Sequence, residues 1–392
     1  MKFQKDYFLN LKDYDLVKKV RLTLSHGVVH MAPKGKVYGN VLLSYITLPF
    51  VISDKLLDAH TNRWECREIA RLFLEQGYAV DVIDWTNTTF IPKKNYRFFI
   101  DIHNNLERLS PLLPKDCIKV FHATGAHWLF QNTAEYTRLL DLQKRRGVTL
   151  TPQRVMPPSH AIEHADVMTL LGNDFTESTY AYAKKKTYRI PLSTTHTYPS
   201  PNQKDFDSAK KNFVWFGGSG MVHKGLDLVL ETFAAMPEYN LTICGKISNE
   251  KDFEDTYRKE LYESKNISVV GLIDPGSKEF QKICDDSIAL IYPSCSEGQS
   301  GAVITIMHAG LIPVVSYQSG VDVADFGKIL KENSIEGVKN MVHEIASLST
   351  ETLRSMSLDT WKFAQKNHTR ATFSEHYKNF IQELLAHHKN HA

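Results

Sequence analysis

Residues 287–316 read SIALIYPSCSEGQSGAVITIMHAGLIPVVS, and this stretch decides the fold. Two short apolar segments, 287–293 and 311–316, have the length and composition of buried strands. An apolar, helix-like stretch lies between them and ends at Gly310. A strand, a helix and a second strand in this order predict a parallel pair joined by a crossover helix. One carboxylate, Glu297, lies in the loop after the first strand, in a run of small residues.

The same alternation continues along the chain from residue 38, which predicts parallel sheets with crossover helices. Residues 193–212 are polar and contain two prolines, so we expect a linker there. The predicted fold is α/β, with two Rossmann-like doubly wound domains facing a cleft. The predicted segments are a basic extension (1–37), an N-terminal domain (38–205), a C-terminal domain (206–350) and C-terminal helices that pack back on the N-terminal domain (351–392).

Individual elements follow from periodicity and from end signals. A helix is predicted over 128–146, and residues 350–388 are predicted to be helical. Asn62 is predicted to cap a helix because Glu65 follows three residues later. The predicted strands are 41–46, 79–85, 98–103, 118–125, 166–172, 187–192, 213–217, 239–245, 267–272, 287–293 and 311–316.

The composition of the 392 residues, 42% hydrophobic and 23% charged, is that of a soluble globular protein. The apolar runs are too short to span a bilayer, and no signal-peptide pattern opens the sequence. The five cysteines have no zinc spacing and no CxxC pair, which favours reduced thiols in a cytoplasmic protein. We predict neither a metal site nor a cofactor.

The basic residues are concentrated at the start of the chain. Residues 1–36 hold eight Lys or Arg against three Asp, a balance of +5 that exceeds the formal net charge of +3 for the whole chain. Such an arm is either a solvated extension or a contact with an acidic polymer or with anionic lipid, which would be peripheral at the inner membrane surface.

The first candidate site is FGGSGMVHKG (216–225), a glycine-rich turn between a strand and a helix. Such a turn exposes backbone N–H groups to a phosphate, and Lys224 adds a positive charge. Neither the P-loop nor the dinucleotide fingerprint fits, because Lys224 precedes Gly225 and His223 stands where the third glycine belongs. The alternative is a tight connection without a ligand.

The second candidate site is the loop and helix start at 297–301. The amides of Ser300 and Gly301 are placed to bind an anion at a helix N-terminus. Glu297 would repel phosphate, but a carboxylate accepts charge-assisted hydrogen bonds from sugar hydroxyls. Together the two sites suit a ligand with a diphosphate and a hydroxylated end; the alternative for Glu297 is a solvated loop residue.

The third candidate is FHATGAH (121–127), at the end of a strand in the first half. His122 or His127 could hydrogen-bond a substrate or transfer a proton, or could be structural. No serine-hydrolase, zinc-finger or RNA-binding pattern is present, and we predict no nucleic-acid partner.

Three segments in order, HKGLDLVLETF, LTICG and PSCSEGQSGAVITIMHAGLIPVVS, resemble the C-terminal domain of retaining GT-B glycosyltransferases of the group called glycosyltransferase family 4. The resemblance is specific over 213–320 and weaker over 38–192. It implies a nucleotide-sugar donor in the C-terminal domain, an acceptor on the N-terminal side and no required metal. It also implies that Lys224 contacts the diphosphate, that Glu297 contacts the donor sugar, and that His122 is the strand-end histidine of the site.

Two positions depart from that family. Gly218 stands where the family usually has an arginine, and Thr305 stands where it usually has a second glutamate that contacts the ribose. A neutral hydroxyl binds a ribose more weakly than a carboxylate does. DAHTNRWE also replaces the usual glycine-rich first loop.

The sequence therefore predicts a retaining, metal-independent glycosyltransferase that moves a sugar from a UDP- or GDP-sugar to a glycan or lipid-linked glycan in polysaccharide biosynthesis. The alternatives are a catalytically silent sugar-binding or partner-binding subunit and a sugar epimerase or phosphorylase of the same fold. The predicted catalytic residues are His122, Lys224 and Glu297. The predicted donor-binding residues are Gly217, Gly218, Ser219, Gly225, Gly298, Gln299, Ser300, Gly301 and Thr305.

Overall fold

The computed structural model of the chain describes residues 16–24 and 26–389. Residues 1–15 of the predicted basic extension lie outside the described residues. The described part of the chain folds into two sheets, one in each half, with helices on their faces.

Within the described residues, the first sheet has seven strands. Their order across the sheet is first, third, second, fourth, fifth, sixth, seventh. The first strand is antiparallel to its neighbour, and the other pairs are parallel. The strands are β1 (Val28–Met31), β2 (Gly39–Tyr45), β3 (Tyr78–Asp84), β4 (Tyr96–Asp101), β5 (Ile118–Ala123), β6 (Val167–Leu170) and β7 (Lys186–Arg189).

The second sheet, in the same described part of the chain, has six parallel strands. They are β8 (Asn212–Phe216), β9 (Asn240–Cys244), β10 (Ile267–Gly271), β11 (Ala289–Tyr292), β12 (Ile312–Ser316) and β13 (Lys328–Leu330). Their order is β10-β9-β8-β11-β12-β13, so the winding direction reverses between β8 and β11. In open α/β sheets the crevice at such a switch point, beyond the carboxyl ends of the strands, is where ligands bind.

The described helices precede, separate or follow the strands along the chain. They are α1 (Leu16–Leu24), α2 (Thr61–Glu75), α3 (Asn105–Leu109), α4 (Trp128–Arg146), α5 (Ala161–His164), α6 (Asp174–Ser178), α7 (Phe206–Ala209), α8 (Leu226–Ala234), α9 (Lys251–Thr256), α10 (Arg258–Glu263), α11 (Lys278–Asp285), α12 (Gly301–His308), α13 (Ile335–Ser347), α14 (Thr350–Asn367) and α15 (Arg370–Lys389).

The predicted fold class, α/β with two doubly wound parallel sheets, is confirmed by this topology. Every predicted strand is present, with ends shifted by a few residues, and the helix at 128–146 has the predicted bounds. The sequence missed β1, which lies inside the predicted extension, and the edge strand β13. The prediction that Asn62 caps α2 was wrong. The helix begins at Thr61, and the capping residue is His60, whose ring accepts a hydrogen bond from the Asn62 amide.

Helix α4 belongs to the first half by sequence but packs on the second. Leu142 at 0% exposure, with Leu150 in the loop after α4, lies in the hydrophobic core under the second sheet. Arg145 forms an ion pair of 2.6 Å with the buried Asp227 at the start of α8. Arg138 donates to the carbonyl of Pro293, just beyond β11, over 2.9 Å. Helix α4 therefore joins the two halves at the crevice of the second sheet.

The chain returns to the first half at its C-terminal end. The predicted helical region over 350–388 consists of two helices, because the chain leaves helical geometry between α14 and α15. Helix α15 packs against α2: Phe373 stacks edge-on to Trp64 at 5.8 Å, and Arg370 forms an ion pair with Asp58. This contact connects the end of the chain to the first sheet.

Candidate functional site

The two glycine-containing motifs lie side by side at the switch point of the second sheet. Strands β8 and β11 are direct neighbours, and each motif follows the carboxyl end of one of them. Gly225 closes the first motif with φ +74°, and a Cβ there would lie 2.6 Å from the carbonyl oxygen of Pro293. A glycine is required, and this close approach places Lys224 next to the loop after β11.

Lys224 and Glu297 form a buried ion pair through Nζ and Oε1. Their side chains are only 9% and 11% exposed. The hydroxyl of Tyr292, the last residue of β11, lies 3.0 Å from Nζ and donates to Oε1 over 3.0 Å. Gly217 leaves room for the lysine stem, since a Cβ there would lie 3.2 Å from Cδ of Lys224. The two residues that the sequence assigned to opposite ends of a ligand are in direct contact.

Both members of the pair are charged. Burial disfavours the Glu297 carboxylate, but the charges of Lys224, Arg154 and His223 outweigh burial and lower its pKa to about 2. Burial likewise opposes the Lys224 ammonium, but the Glu297 carboxylate raises the pKa of Lys224 above its usual value. The site therefore presents one fixed positive and one fixed negative charge at neutral pH.

The glycine turn satisfies some of its amides internally and leaves others free. The Glu250 carboxylate accepts from the amides of Gly220 and Met221 over 2.5 and 2.9 Å, so these two N–H groups are not available to a ligand. Within the described chain, the amides of Gly218 and Ser219 have no hydrogen-bond acceptor. Nothing lies within 4 Å of a Cβ built on Gly218. The open part of the turn is therefore its first half.

The loop after β11 corrects the prediction for Ser300. Its amide donates to the carbonyl of Ser319 over 3.0 Å, so it cannot also bind an anion. Helix α12 starts at Gly301 without a side-chain cap. Its first hydrogen bond of the helical pattern runs from the amide of Ile304 to the carbonyl of Ser300. The amides of Gly301, Ala302 and Val303, which precede the first intrahelical bond, are therefore the ones that can receive an anion.

Three other predicted donor-binding residues serve partly as structural contacts. The side-chain oxygen of Gln299 accepts from the amide of Leu192 over 2.7 Å, which ties the loop to the linker. Thr305 donates its hydroxyl proton to the carbonyl of Gly301 over 2.8 Å, so only its acceptor lone pairs remain for a ribose. Gly298 packs against the first half: a Cβ there would lie 2.3 Å from the carbonyl oxygen of Thr124.

The two candidate histidines of the first half, His122 and His127, are both engaged in contacts within the protein. His122 is 0% exposed, with Nδ1 2.8 Å from the Thr169 hydroxyl and rings of Tyr45 and Tyr377 against it. Burial lowers its pKa to about 4. We therefore correct its assignment as a substrate contact, because a neutral ring without exposed surface cannot touch a sugar. His127 caps α4 by accepting from the Leu129 amide.

A buried cluster that the sequence did not indicate joins the two halves beside the site. Nδ1 of His223, in the glycine turn, lies 2.5 Å from a carboxylate oxygen of Glu135 on α4. Nε2 of the same ring lies 2.5 Å from the carbonyl of Ser296. Burial alone would lower the pKa of the His223 ring. The hydrogen bonds of the ring with Cys295 and Glu135 outweigh burial and raise this pKa to about 9.

Glu135, His223 and Cys295 are close enough to one another to offer three ligand atoms to a metal ion. However, both ring nitrogens already face oxygen atoms, those of the Glu135 carboxylate and the Ser296 carbonyl, so the ring is held by hydrogen bonds within the protein. We interpret the cluster as a charge-assisted contact that holds the glycine turn against α4. All five cysteines are free and buried.

A family model described as glycosyl transferases group 1 matches residues 201–348, which include both motifs. No curated protein matches the sequence. In the described part of the chain, every helix is too short or too polar to cross a membrane.

Among solved structures, sucrose-phosphate synthase from Thermosynechococcus elongatus has a TM-score of 0.59 at 14% identity, covering 88% of this chain and 98% of that one. Anabaena HepE in complex with UDP and glucose has a TM-score of 0.54 at 12% identity, covering 89% and 100%. TarM from S. aureus in complex with UDP has a TM-score of 0.51 at 13% identity, covering 72% and 54%. The fold is therefore GT-B, and together with the matched domain it supports a GT-B glycosyltransferase.

Proposed function

We propose that this protein is a glycosyltransferase that takes a sugar from a nucleoside-diphosphate donor bound at the switch point of the second sheet. One observation carries the proposal. A lysine, two groups of free backbone amides and a carboxylate meet in the crevice between β8 and β11, inside the matched glycosyl transferases group 1 domain. This is a site for a ligand with an anionic and a hydroxylated end.

The positive groups bind the diphosphate. Lys224 and the amides of Gly218 and Ser219 face it from one side, and the start of α12 at Gly301 faces it from the other. Negative charge on the diphosphate increases as the sugar leaves, so fixed positive groups stabilise the transition state more than the ground state. The reaction needs no cofactor, and the positive charge comes from the protein rather than from a metal.

Glu297 binds hydroxyls of the donor sugar. To do so its carboxylate turns from Lys224 to the sugar, while the lysine turns from the carboxylate to the diphosphate. The two residues thus exchange partners when the donor binds, and neither charge is left unpaired. The carboxylate then lies near a ring whose anomeric carbon becomes positive in the transition state.

The donor is a UDP- or GDP-sugar, and the acceptor is a hydroxyl of a glycan or lipid-linked glycan at the carboxyl edge of the first sheet. UDP is the nucleotide in the HepE and TarM complexes, which supports the uridine form. We propose retention of anomeric configuration and a role in polysaccharide biosynthesis. The contact of Gly298 with Thr124 closes the crevice against the first half and would limit hydrolysis of the donor by water.

We also propose that the enzyme acts in the cytoplasm, at the inner membrane surface. Helix α1 presents Val17, Val20 and Leu24, which are 66%, 57% and 76% exposed. Their spacing places them on one face of the helix, and the same segment carries three basic residues in its sequence. An apolar face combined with basic residues is typical of helices that lie in an anionic membrane surface. Vesicle co-sedimentation with and without phosphatidylglycerol tests this contact.

A thermal-shift panel of nucleotides and nucleotide-sugars tests the proposal first, since a ligand that binds the native state raises its melting temperature. The stabilising donor is then incubated with glycan acceptors, and the product is examined by NMR for the configuration at the new bond. Transfer with retention is the expected result. Stabilisation without turnover would indicate a silent binding subunit, and a changed donor without an acceptor would indicate an epimerase.

A further inference from the structure

Arg154 lies in the loop between α4 and α5, outside every motif of the sequence, and its side chain reaches the glycine turn of the other half. A Cβ built on Gly220 would lie 2.7 Å from Cγ and 3.0 Å from Cδ of Arg154. Gly220 has φ +91°, a conformation that favours glycine and leaves room for the arginine stem. The guanidinium is thus carried from the first half to the donor crevice.

The main chain of Arg154 is held in place from both sides. Its amide donates to Glu135 over 3.2 Å, and its carbonyl accepts from the Gln131 side chain over 2.5 Å. The other carboxylate oxygen of Glu135 is the one that binds His223 in the glycine turn. One carboxylate therefore fixes Arg154 and the turn relative to each other, which is the arrangement expected of a preorganised binding group.

Within residues 16–24 and 26–389, the guanidinium has no hydrogen-bond or ion-pair partner. Its Nε atom is buried and makes no hydrogen bond, and among the described residues no carboxylate lies within ion-pair distance of Arg154. Its charge nevertheless acts on the site, because it lowers the pKa of Glu297 and opposes the charged form of Lys224. A half-buried cation without a partner is unfavourable in the protein alone and calls for an anion.

We propose that Arg154 binds the diphosphate of the donor from the first half of the chain, opposite Lys224. The inference rests on the proposed function, since it names a further residue for the same ligand. A guanidinium can bind two phosphate oxygens at once, which a lysine cannot. Because Arg154 and Lys224 come from different halves, the diphosphate would connect the two halves at the crevice.

The test measures binding of UDP and GDP, and of uridine and guanosine, to the full-length protein by calorimetry. Arg154→Met keeps the stem that packs on Gly220 but removes the charge, and Arg154→Lys keeps the charge but removes the planar fork. The neighbouring Gln153→Ala is the control, because that side chain is exposed. We expect Arg154→Met to weaken diphosphate binding by about tenfold or more, Arg154→Lys to weaken it less, and nucleoside affinity to stay unchanged.

The outcomes separate this inference from the proposed function. If the wild type binds UDP or GDP and Arg154→Met binds it equally well, the role of Arg154 is overturned and the proposed function stands. If Arg154→Met loses the nucleoside and the diphosphate in the same proportion, the residue is structural and the inference is again overturned. If the wild type binds neither nucleotide, the proposed function fails and the inference fails with it.

Discussion

Lys224 and Glu297 are 73 residues apart in sequence and form one buried ion pair at the switch point of the second sheet. The contact exists because Gly225 lets the first motif touch Pro293 at the end of β11. A donor must compete with Glu297 for the lysine, and it offers sugar hydroxyls to the carboxylate in return. The pair therefore couples recognition of the diphosphate to recognition of the sugar.

Glu297→Gln should separate these two functions. The variant loses the competitor for Lys224, so UDP or GDP should bind as tightly as before or more tightly. Turnover of the complete donor should fall by about 10²-fold or more, because the carboxylate no longer lies near the positive ring of the transition state. Stability without nucleotide should fall by about 3–5 kcal/mol, since a buried ammonium loses its partner. Calorimetry, single-turnover rates and denaturant unfolding measure the three quantities.

Glu279→Gln is the control for this experiment, because it removes the same charge from an exposed position of the same half. It should leave affinity, rate and stability near the wild-type values. A parallel loss of affinity and rate in Glu297→Gln, or no change in either, would show that Glu297 does not read the sugar.

Gly298→Ala should prevent the two halves from meeting at the crevice. The added Cβ would lie 2.3 Å from the backbone oxygen of Thr124, which cannot move aside as a flexible side chain can. We expect turnover to fall by much more than the affinity for UDP or GDP, because Lys224 and the helix start still bind the phosphates and only the contribution of Arg154 from the first half is weakened. Gly35→Ala, at a position outside the proposed site where a Cβ also meets nothing within 4 Å, is the matched control. Equal activity of the two variants would contradict the closure argument.

Stability should decrease at alkaline pH through the contact between His223 and Glu135. The pKa of His223 in the fold is about 9, above the value of roughly 6.5 in an unfolded chain. Its contribution is therefore complete below pH ~6.5 and is lost as the pH rises to about 9. Glu135→Gln removes the charged partner, so this loss should shift to lower pH. Denaturant midpoints from pH 6 to 10 measure it.

The pH dependence of stability has to be compared between wild type and Glu135→Gln, because the stability contribution of another group, Lys204, changes with pH in the opposite direction. Burial lowers the pKa of Lys204 to about 8. The folded protein therefore releases this proton before the unfolded chain does, and the contribution of Lys204 to the free energy of unfolding increases as the pH rises above about 8. The difference between wild type and Glu135→Gln cancels this contribution. Identical pH profiles for the two proteins would mean that His223 is not charged in the fold.

Chelators should leave turnover unchanged. The proposed positive charge at the diphosphate comes from Lys224, Arg154 and backbone amides, and the nearest group of potential metal ligands already uses both nitrogens of His223 for hydrogen bonds. Activity is measured after dialysis against EDTA and after addition of magnesium or manganese. A loss that either metal restores would overturn this part of the proposal.

The sequence predicts the architecture well because strand and helix periodicities are local. Buried apolar segments such as 289–292 and 312–316 form strands in any doubly wound sheet, and the glycine positions mark the turns between them. The missed strand β1 is short and lies in a basic region, so its pattern is weak. The cap of α2 fell on His60 because the choice between adjacent capping groups depends on backbone geometry at the helix start.

The site was predicted only in part, because its contacts join distant segments. Lys224 and Glu297 follow neighbouring strands, so their position at one crevice follows from strand order. The packing of α4 on the second half does not follow from strand order. The periodicity of α4 shows which face of the helix is apolar, but it does not show which of the two cores that face packs against. Arg154 lies in a loop without periodicity, and only the fold brings it to Gly220. His122 lies at the end of β5 as expected, but α15 covers it with Tyr377.

The central claim is that Lys224 binds the diphosphate of the donor, and one pair of titrations tests it most directly. UDP and GDP are titrated into Glu297→Gln and into Lys224→Met/Glu297→Gln, so that no unpaired carboxylate disturbs the comparison. A charge-assisted bond to phosphate is worth roughly 1.5–3 kcal/mol, so we predict that the double variant binds the nucleotide about tenfold more weakly or worse. Equal affinity of the two variants would contradict the account, because the phosphates would then lie elsewhere.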